Sequence, residues 1–386
     1  MDNDLNAVYG ERLPAGFISK NEFYLKIIAN VYKDNMMALL IGSGISRQSG
    51  IPDWRGLVEE MYRRYLVHRL GYFENDVKEL RDELIRADLS KSDILPFIKN
   101  KELIEIAQYI KPSTPDQSEE DNTQALCARL VQAIFKERYS EKIAQCAHND
   151  VILGDKEKNG NKTLFELAEL ICPQDKTEPM IRDIITYNYD DLLEGALQNT
   201  RYNRKLNIVM LTNGKVIKSF NNPALSTVYI YHVHGITPVV NPDIECGPIV
   251  LNDESYREME TDAFLWGNHR QVQLFREKPT LIIGFSCEDR NFRRLCSIKS
   301  CKGSFKPRFA LMQANDFFMG AEELGKGAVC SQEKLTREKQ ITAATMLNIY
   351  ESYLYDQFGI HVIWVYDAAV HVKRVIRRLR EMAAAV

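Results

Sequence analysis

The sequence predicts an α/β fold, in which a parallel sheet carries helices on both faces and receives a helical insertion. Short, nearly continuous apolar runs recur along the chain, as is typical of strands buried on both faces of a parallel sheet. Segments of helical period separate these runs. Between about 67 and 178 the alternation stops and charged helix-forming residues dominate, which indicates the insertion.

Length and composition restrict the class of protein. With 386 residues and 45% hydrophobic composition, the chain can bury one large core and an appended subdomain. The net charge of -3 argues against a dedicated nucleic-acid binder and leaves direct nucleic-acid contact through a local basic face open. The acidic, polar N-terminus and the lack of a membrane-length apolar run predict a cytoplasmic protein without membrane contact.

The eight cysteines are scattered along the chain and contain no C-x-x-C pair. They also share no tight spacing with histidines, so the sequence predicts no metal site. We expect them to be reduced thiols in a reducing compartment.

The first predicted elements are a helix and a strand. Segment 18–34 predicts a helix, with Ser19 as its N-cap and Glu22 three residues later. The apolar positions at helical spacing are Phe23, Ile27, Ile28 and Val31. The apolar run MMALLIG follows and ends at a glycine, which predicts the first buried strand.

Five further apolar runs predict the remaining strands. They cover 181–188, 228–235, 280–286, 309–314 and 360–366. A segment of helical period, AATMLNIYESYLYDQF, precedes the last of them. An amphipathic C-terminal helix follows, with a predicted buried face of Val372, Val375, Ile376 and Leu379. Its other face carries Lys373, Arg374, Arg377, Arg378 and Arg380, which favour a solvated surface over a phosphate or partner patch.

These observations predict three regions. Residues 1–66 would hold the N-terminal helix and the first part of the core, and 67–178 the helical insertion with a polar loop at 111–122. Residues 179–386 would complete the core and end in the C-terminal helix.

The stretch GSGISRQSGIPDWR, residues 42–55, follows the first predicted strand directly. Gly42 and Gly44 would let the backbone turn tightly and approach a ligand, and amide groups of the next turn would face an anion. The third glycine of the dinucleotide fingerprint should stand at position 47, which is arginine. The pattern therefore indicates a phosphate-binding turn that differs from the ordinary dinucleotide motif.

This stretch resembles the sirtuin signature G-A-G-I-S-x-x-S-G-I-P-D-F-R, with Ser43 for alanine and Trp54 for phenylalanine. TYNYD at 186–190 is similar to the family's T-Q-N-I-D, and VHG at 233–235 to the block that carries its catalytic histidine. GFSCEDRNFRRL at 284–295 is similar to the G-x-S-x-x-D-x-N form of bacterial sirtuin-like proteins. The resemblance implies a Rossmann-like core that binds NAD as substrate.

Two departures from the deacylase pattern refine this implication. One cysteine, Cys246, follows the histidine where sirtuin deacylases carry a four-cysteine zinc ribbon, and Tyr187 replaces the glutamine of T-Q-N. These features, with LNDESYREM at 251–259 and the insertion, look like prokaryotic sirtuin-like proteins of antiphage defence. Such proteins hydrolyse NAD and commonly pair with a second component such as a HerA-type hexameric ATPase.

Three residues are the predicted catalytic groups. Asn188 is placed at a strand end, where a neutral amide could hold a water or a ribose hydroxyl, although it could also cap the following helix. His234 could polarise a hydroxyl or accept a proton. Asp190 could bind a ribose hydroxyl or the histidine, or stabilise a helix start as Asp191 could. His232 is interpreted as structural.

The resemblance also implies which residues bind NAD. Asp53, Trp54 and Arg55 would contact the nicotinamide carboxamide, its ring and the phosphates respectively. The predicted phosphate and adenosine-ribose contacts are Gly42, Ser43, Gly44, Ser46, Gly284, Ser286 and Asp289, with Asn291 as a weaker candidate on the adenosine side. No metal is implied.

The hypothesis that follows is an NAD glycohydrolase of antiphage defence, active in NAD depletion and gated by assembly. We expect a homo-oligomer that pairs with a HerA-type ATPase or another defence partner, with the charged insertion and the basic C-terminal helix as candidate contact surfaces. The alternatives are an NAD-dependent protein deacylase and a non-catalytic NAD or ADP-ribose sensor.

Overall fold

The fold is an α/β sandwich built on one eight-stranded sheet of order β4-β3-β5-β2-β1-β6-β7-β8. The computed structural model describes residues 2–54, 56–58, 60–61, 123–145, 161–198, 206–220, 226–241, 243–245, 247–251, 253–262, 264–298, 305–318 and 332–385. The strands are β1 Ala38–Ile41, β2 Asp183–Thr186, β3 Leu206–Thr212, β4 Lys215–Phe220, β5 Ser226–His232, β6 Thr280–Ile283, β7 Arg308–Gln313 and β8 Ile360–Val365. All neighbouring strands are parallel except β3 and β4.

Helices surround the sheet. They are α1 Asp2–Tyr9, α2 Ala15–Lys33, α3 Thr123–Gln145, α4 Lys162–Ile171, α5 Leu192–Gln198, α6 Asp253–Thr261, α7 Trp266–Glu277, α8 Arg290–Cys296, α9 Gln332–Phe358 and α10 Ala368–Ala385. One group, α1, α2, α4 and α10, makes mutual contacts, and a second group contains α6, α7, α8 and α9. The predicted Rossmann-like α/β fold with a mostly parallel sheet is therefore confirmed.

The strand order places β1 at the switch point of the sheet. The chain leaves β1 for β2 on one side and returns to β6 on the other. All four residues of β1 are buried, as its apolar sequence ALLI requires. In open α/β sheets the crevice beyond the carboxyl ends of such strands is where ligands bind. The loops that follow β1, β2, β5 and β6 meet there.

The sequence analysis missed one feature of the sheet, the antiparallel hairpin of β3 and β4. Its turn residues Asn213 and Gly214 both have positive φ, as the tight turn of a two-residue hairpin requires. An Asn-Gly pair between two β-rich runs was the available signal. The hairpin forms one edge of the sheet and contributes no predicted site residue.

Helix α2 begins earlier than predicted. Pro14 occupies the N-cap position, and Ser19 lies inside the helix, where its hydroxyl donates to the Ala15 carbonyl. The buried face includes Phe17, while Phe23 is 61% exposed. The N-cap prediction for Ser19 is therefore wrong, because burial of an apolar first turn placed the helix start upstream of the local capping signal.

Helix α10 forms as predicted, with Val372, Val375, Ile376 and Leu379 buried. Its basic face is not simply solvated, however. Arg377 and Arg380 bind the Glu166 carboxylate of α4, and Arg378 binds Glu22 of α2. Arg378 and Arg380 are thus partly buried in ion pairs within the chain, whereas Arg377 stays 61% exposed, and α10 as a partner surface stays a prediction.

The division of the chain at 66 and 178 stays a prediction. Most of 67–178, including the predicted loop at 111–122, lies outside the described residues. Within that range α3 and α4 are helical, and α4 contacts α5 and α10. None of the described helices has the length and apolar character needed to cross a membrane.

Candidate active site

The glycine-rich turn after β1 packs against the loop after β6. A methyl group at Gly42 would lie 2.6 Å from the Gly284 carbonyl oxygen, and one at Gly44 would lie 2.9 Å from the Gly284 Cα. Gly284 itself has φ +67°. The three glycines are thus required by contact between two backbones, whatever ligand they also serve. The sequence analysis attributed the glycines at 42 and 44 to a tight turn and a ligand, and this backbone contact is an additional cause.

The turn continues as two short 3-10 helices, Ser43–Ile45 and Arg47–Ser49. Asn161, at the start of α4, donates its side-chain amide to the Ile45 carbonyl and to the Ser49 hydroxyl. Its side-chain oxygen accepts from the Leu164 amide and caps α4. Asn161, which the sequence analysis did not single out, therefore holds the glycine-rich turn in place through hydrogen bonds.

The loop after β2 brings together Ser46, Asn188 and Asp190 in one hydrogen-bond chain. The Asn188 Nδ2 donates to the Ser46 Oγ at 3.1 Å, and the Ser46 hydroxyl donates to Asp190 Oδ1 at 3.0 Å. Asp190 also accepts the Leu192 amide at the start of α5. All three residues are buried. Ser46, which was predicted to contact phosphate, here orients Asn188.

These hydrogen bonds fix the orientation of the Asn188 side-chain amide. Because the amide nitrogen is committed to Ser46, the oxygen Oδ1 points elsewhere, and it has no hydrogen-bond partner within the described part of the chain. An unpaired buried carbonyl oxygen is costly unless a ligand or water completes it. Asn188 therefore offers one acceptor to whatever occupies the crevice.

Burial raises the pKa of Asp190 to about 7, although the hydrogen bonds from Ser46 and Leu192 oppose this. The neighbouring Asp191 has a different role. Its carboxylate accepts three backbone amides, from Val239, Val240 and Asn241, and so anchors the loop that follows β5. Asp191 is thus a loop anchor, and Asp190 belongs to the site.

His234 lies at the same level of the sheet as Asn188. Thr186 of β2 pairs with His232 of β5, so Asn188 and His234 each stand two residues beyond a paired position. The His234 ring contacts the rings of Tyr187 and Tyr256 at centroid distances of 4.4 and 5.6 Å. Among the described residues its Nε2 has no hydrogen-bond partner.

Burial lowers the pKa of His234, and the Asp289 carboxylate opposes this effect. The net lowering favours the neutral imidazole near pH 7, which can accept a proton. His232 differs, because its Nε2 lies 2.7 Å from the Glu194 carboxylate. Burial lowers the pKa of His232, but Glu194 outweighs burial and the net pKa is raised. This buried pair agrees with the structural interpretation of His232, and Glu194 carried no sequence signal.

The remaining predicted NAD contacts are distributed along the rim. Asp53 accepts the Gly56 amide and lies 3.5 Å from the Arg47 guanidinium, and Trp54 packs partly buried against the core. Ser286 is exposed and accepts the Glu288 amide. Arg55 lies outside the described residues.

Two predicted adenosine-side residues, Asp289 and Asn291, make hydrogen bonds within the chain, and their contact with adenosine stays a prediction. Asn291 is buried and donates to Asn268 Oδ1. Asp289 caps α8 by accepting the Phe292 amide, and its second oxygen accepts from Tyr256. Asp289 faces His234, with 3.8 Å between the carboxylate Oδ2 and the imidazole Nε2. The structure thus brings Asp289 to the predicted catalytic histidine.

The described residues contain no group of three or more His, Cys, Asp and Glu side chains that could hold a metal ion. Three free thiols, Cys172, Cys287 and Cys296, are buried. Burial raises the pKa of Cys296 to about 12, so this thiol is protonated near neutral pH.

Comparison with known proteins finds a family similarity over part of the chain. No curated protein matches the chain. Residues 182–340 match the family model described as a SIR2-like domain. This region runs from β2 through β7 and contains Asn188, His234 and Asp289. Over these residues the chain is therefore similar to SIR2-like domains, which agrees with the sirtuin-like resemblance of its motifs between β2 and β7.

Proposed function

We propose that this protein is an NAD glycohydrolase, which cleaves the nicotinamide-ribose bond to give nicotinamide and ADP-ribose. The observation that carries the proposal is the buried Asn188 Oδ1, which no described residue pairs, beyond the same end of the sheet as His234. The SIR2-like domain that contains both residues supports NAD as the ligand.

In the proposed reaction, Asn188 and His234 both act on the water molecule that attacks the ribose. Asn188 Oδ1 accepts a hydrogen bond from the water and aims its oxygen at ribose C1′. As the C1′-N bond breaks, its electron pair returns to the nicotinamide ring and positive charge develops on the ribose. The water oxygen bonds to C1′, and its proton passes to the neutral His234 and then to solvent. An amide is suited to this position because it orients the water without adding charge.

The test is nicotinamide release from NAD, followed by chromatography together with ADP-ribose. Asn188→Ala and His234→Ala are each expected to lower the rate about 100-fold or more, because each removes one of the two groups that act on the water. Asn30→Ala, an exposed asparagine on α2, is the matched control and should keep the wild-type rate. A wild-type protein that binds NAD and releases no nicotinamide under any condition would replace this proposal with the sensor alternative.

We propose further that cleavage is gated by assembly, in antiphage defence by NAD depletion. Asn188 and His234 are 4% and 3% exposed, so substrate must displace part of the loops that cover them. We expect a homo-oligomer and a partner such as a HerA-type ATPase to favour that displacement. The rates of the isolated chain and of the complex with its genomic neighbour should differ by about 10-fold or more, and equal rates would contradict gating.

The deacylase alternative has less support. The sequence between 236 and 260 contains one cysteine, Cys246, so it cannot supply the four-cysteine ribbon of the acyl-lysine groove. Incubation of the protein with NAD and an acetylated peptide decides between the two activities. Hydrolysis should proceed at the same rate with and without peptide, whereas deacylation requires peptide for product formation.

A further inference from the structure

Asp289, Tyr256 and His234 form a second cluster, in which His234 comes from the loop after β5 and Asp289 from the loop after β6. Tyr256, on α6, donates its hydroxyl to Asp289 Oδ2 at 2.8 Å. The same oxygen lies 3.8 Å from His234 Nε2, and the ring of Tyr256 contacts the ring of His234 edge to face. Helix α6 and the loop before α8, which are separate in sequence, therefore meet beside the imidazole ring of His234.

The carboxylate of Asp289 is held in place from two directions. Its Oδ1 accepts the Phe292 amide at 2.8 Å, which fixes the carboxylate to the start of α8. Its Oδ2 accepts from Tyr256, and burial raises the pKa of Tyr256 well above its usual value, so the phenol stays protonated as a donor. The Asp289 side chain is 9% exposed and that of His234 is 4% exposed. A charge so shielded from solvent acts strongly on a neighbouring imidazole.

We propose that Asp289 is the carboxylate partner of His234 and that Tyr256 is a positioning residue that holds Asp289 toward the ring. The inference rests on the proposed NAD cleavage and deepens it by naming what makes His234 a base. When His234 takes the proton of the attacking water, the Asp289 carboxylate stabilises the imidazolium, as a buried carboxylate does beside a catalytic histidine. The 3.8 Å separation exceeds a hydrogen bond, and we expect it to shorten when substrate is bound.

The groups that face His234 are the rings of Tyr187 and Tyr256 and the carboxylate of Asp289. The Tyr187 hydroxyl is directed to Gln271, at 2.5 Å, and burial raises the pKa of Tyr187 well above its usual value. Neither phenol carries charge near neutral pH, so Asp289 supplies the charge in this cluster.

The first test measures the cluster without any enzymatic reaction. The protein contains seven histidines, and histidine-selective labelling lets NMR follow the titration of each ring in the full chain. The His234 signal is identified by its loss in His234→Gln. Asp289→Asn removes the charge but keeps a good helix cap, so α8 should stay intact. We expect it to lower the pKa of His234 by about 1 or more.

Tyr256→Phe should shift the pKa of His234 in the same direction and by less, because the carboxylate keeps its place at the start of α8 but is no longer held toward the ring by Tyr256. The matched controls are Asp262→Asn, an exposed aspartate whose carboxylate accepts the Phe264 amide, and Tyr353→Phe, a partly exposed phenol on α9. Neither should move the His234 titration. An unchanged His234 pKa in Asp289→Asn, with an unchanged melting temperature, would overturn the assignment.

The second test uses the pH profile of NAD cleavage. Asp289→Asn should lower kcat about 100-fold and displace the acidic limb of the profile to lower pH, with a smaller change in KM. A purely structural role would change the melting temperature and leave the limb in place. If the wild-type chain cleaves no NAD, the proposed function fails while the NMR titration still decides whether Asp289 and His234 are partners.

Discussion

Asn188 can present an acceptor to a substrate because hydrogen bonds hold its side-chain amide in one orientation. The Ser46 hydroxyl accepts a hydrogen bond from the Asn188 amide nitrogen and donates one to Asp190. Asn188 Oδ1 is left as an acceptor without a partner among the described residues. A strand-end asparagine without this support could present either its nitrogen or its oxygen to the crevice. The orientation of one side chain therefore depends on residues from two separate loops.

Ser46→Ala tests this dependence. The substitution leaves the Asn188 nitrogen and the Asp190 carboxylate without their shared partner, which costs about 1–3 kcal/mol. We expect kcat for NAD cleavage to fall roughly 10- to 100-fold, because the Asn188 amide no longer has a fixed direction. Ser19→Ala, a serine that lies on the exposed side of α2, should have the wild-type rate. Equal rates for both variants would show that Ser46 does not orient Asn188.

Asp190 gives a prediction about stability. Its pKa is raised from 3.8 to about 7 by burial, so the folded state holds its proton more tightly than the unfolded state does. The free energy of unfolding should therefore fall as pH rises from about 4 to about 7, because the folded state resists ionisation of Asp190. The loss reaches up to about 4 kcal/mol and is constant above that range.

Asp190→Asn should remove this pH dependence. The amide keeps an acceptor for the Ser46 hydroxyl and the Leu192 amide but cannot ionise. We expect the variant to be more stable than the wild type at pH 8 and similar to it at pH 4, in urea unfolding at both values. A constant difference between the two proteins across this range would contradict a raised pKa at Asp190.

At the scale of elements, the site depends on how closely two turns approach. The turn after β1 and the loop after β6 are in backbone contact at Gly42, Gly44 and Gly284. The adjoining turn is tied to α4 through Asn161. A side chain also completes the backbone at one edge of the sheet, because Asn21 of α2 pairs with both backbone polar groups of Trp364 in the edge strand β8. Side chains thus complete backbone positions that no further strand covers.

Gly284→Ala tests the close approach. The added methyl group would lie 2.8 Å from the Ile45 nitrogen, and φ +67° disfavours any side chain at this position. We expect a loss of more than about 2 kcal/mol in the free energy of unfolding. Gly247→Ala is the matched control, because no described atom lies within 4 Å of the added methyl group, and it should be nearly neutral. Equal stabilities would show that the turns can separate at little cost.

At the scale of the whole molecule, the C-terminal helix joins regions that are far apart in sequence. Glu166 of α4 is buried, with a side chain 3% exposed, and it accepts from Arg377 and Arg380 of α10. Arg380 also binds Glu169. These contacts fasten α10 over the same helix that supports the glycine-rich turn.

Glu166→Gln should weaken that connection. The substitution leaves two arginines without their shared carboxylate, and because both retain some contact with water we expect a loss of about 1–3 kcal/mol in the free energy of unfolding. Glu178→Gln is the matched control, since its carboxylate is 62% exposed and pairs with Arg182 on the surface. Thermal unfolding of both variants decides the point, and an equal shift in melting temperature would contradict a structural role for Glu166.

The sequence by itself determined the α/β class, the position of the six buried parallel strands outside the hairpin, and the strand-end location of Asn188 and His234. These follow from local patterns, because apolar runs mark buried strands and motif order marks the blocks of the SIR2-like domain. Only the tertiary structure decided that Ser46 orients Asn188, that Asp289 faces His234, and that Glu166 binds the arginines of α10. Those pairings join residues 46 and 188, 234 and 289, and 166 and 380, and no local pattern specifies which distant polar groups meet once the strands have assembled around β1.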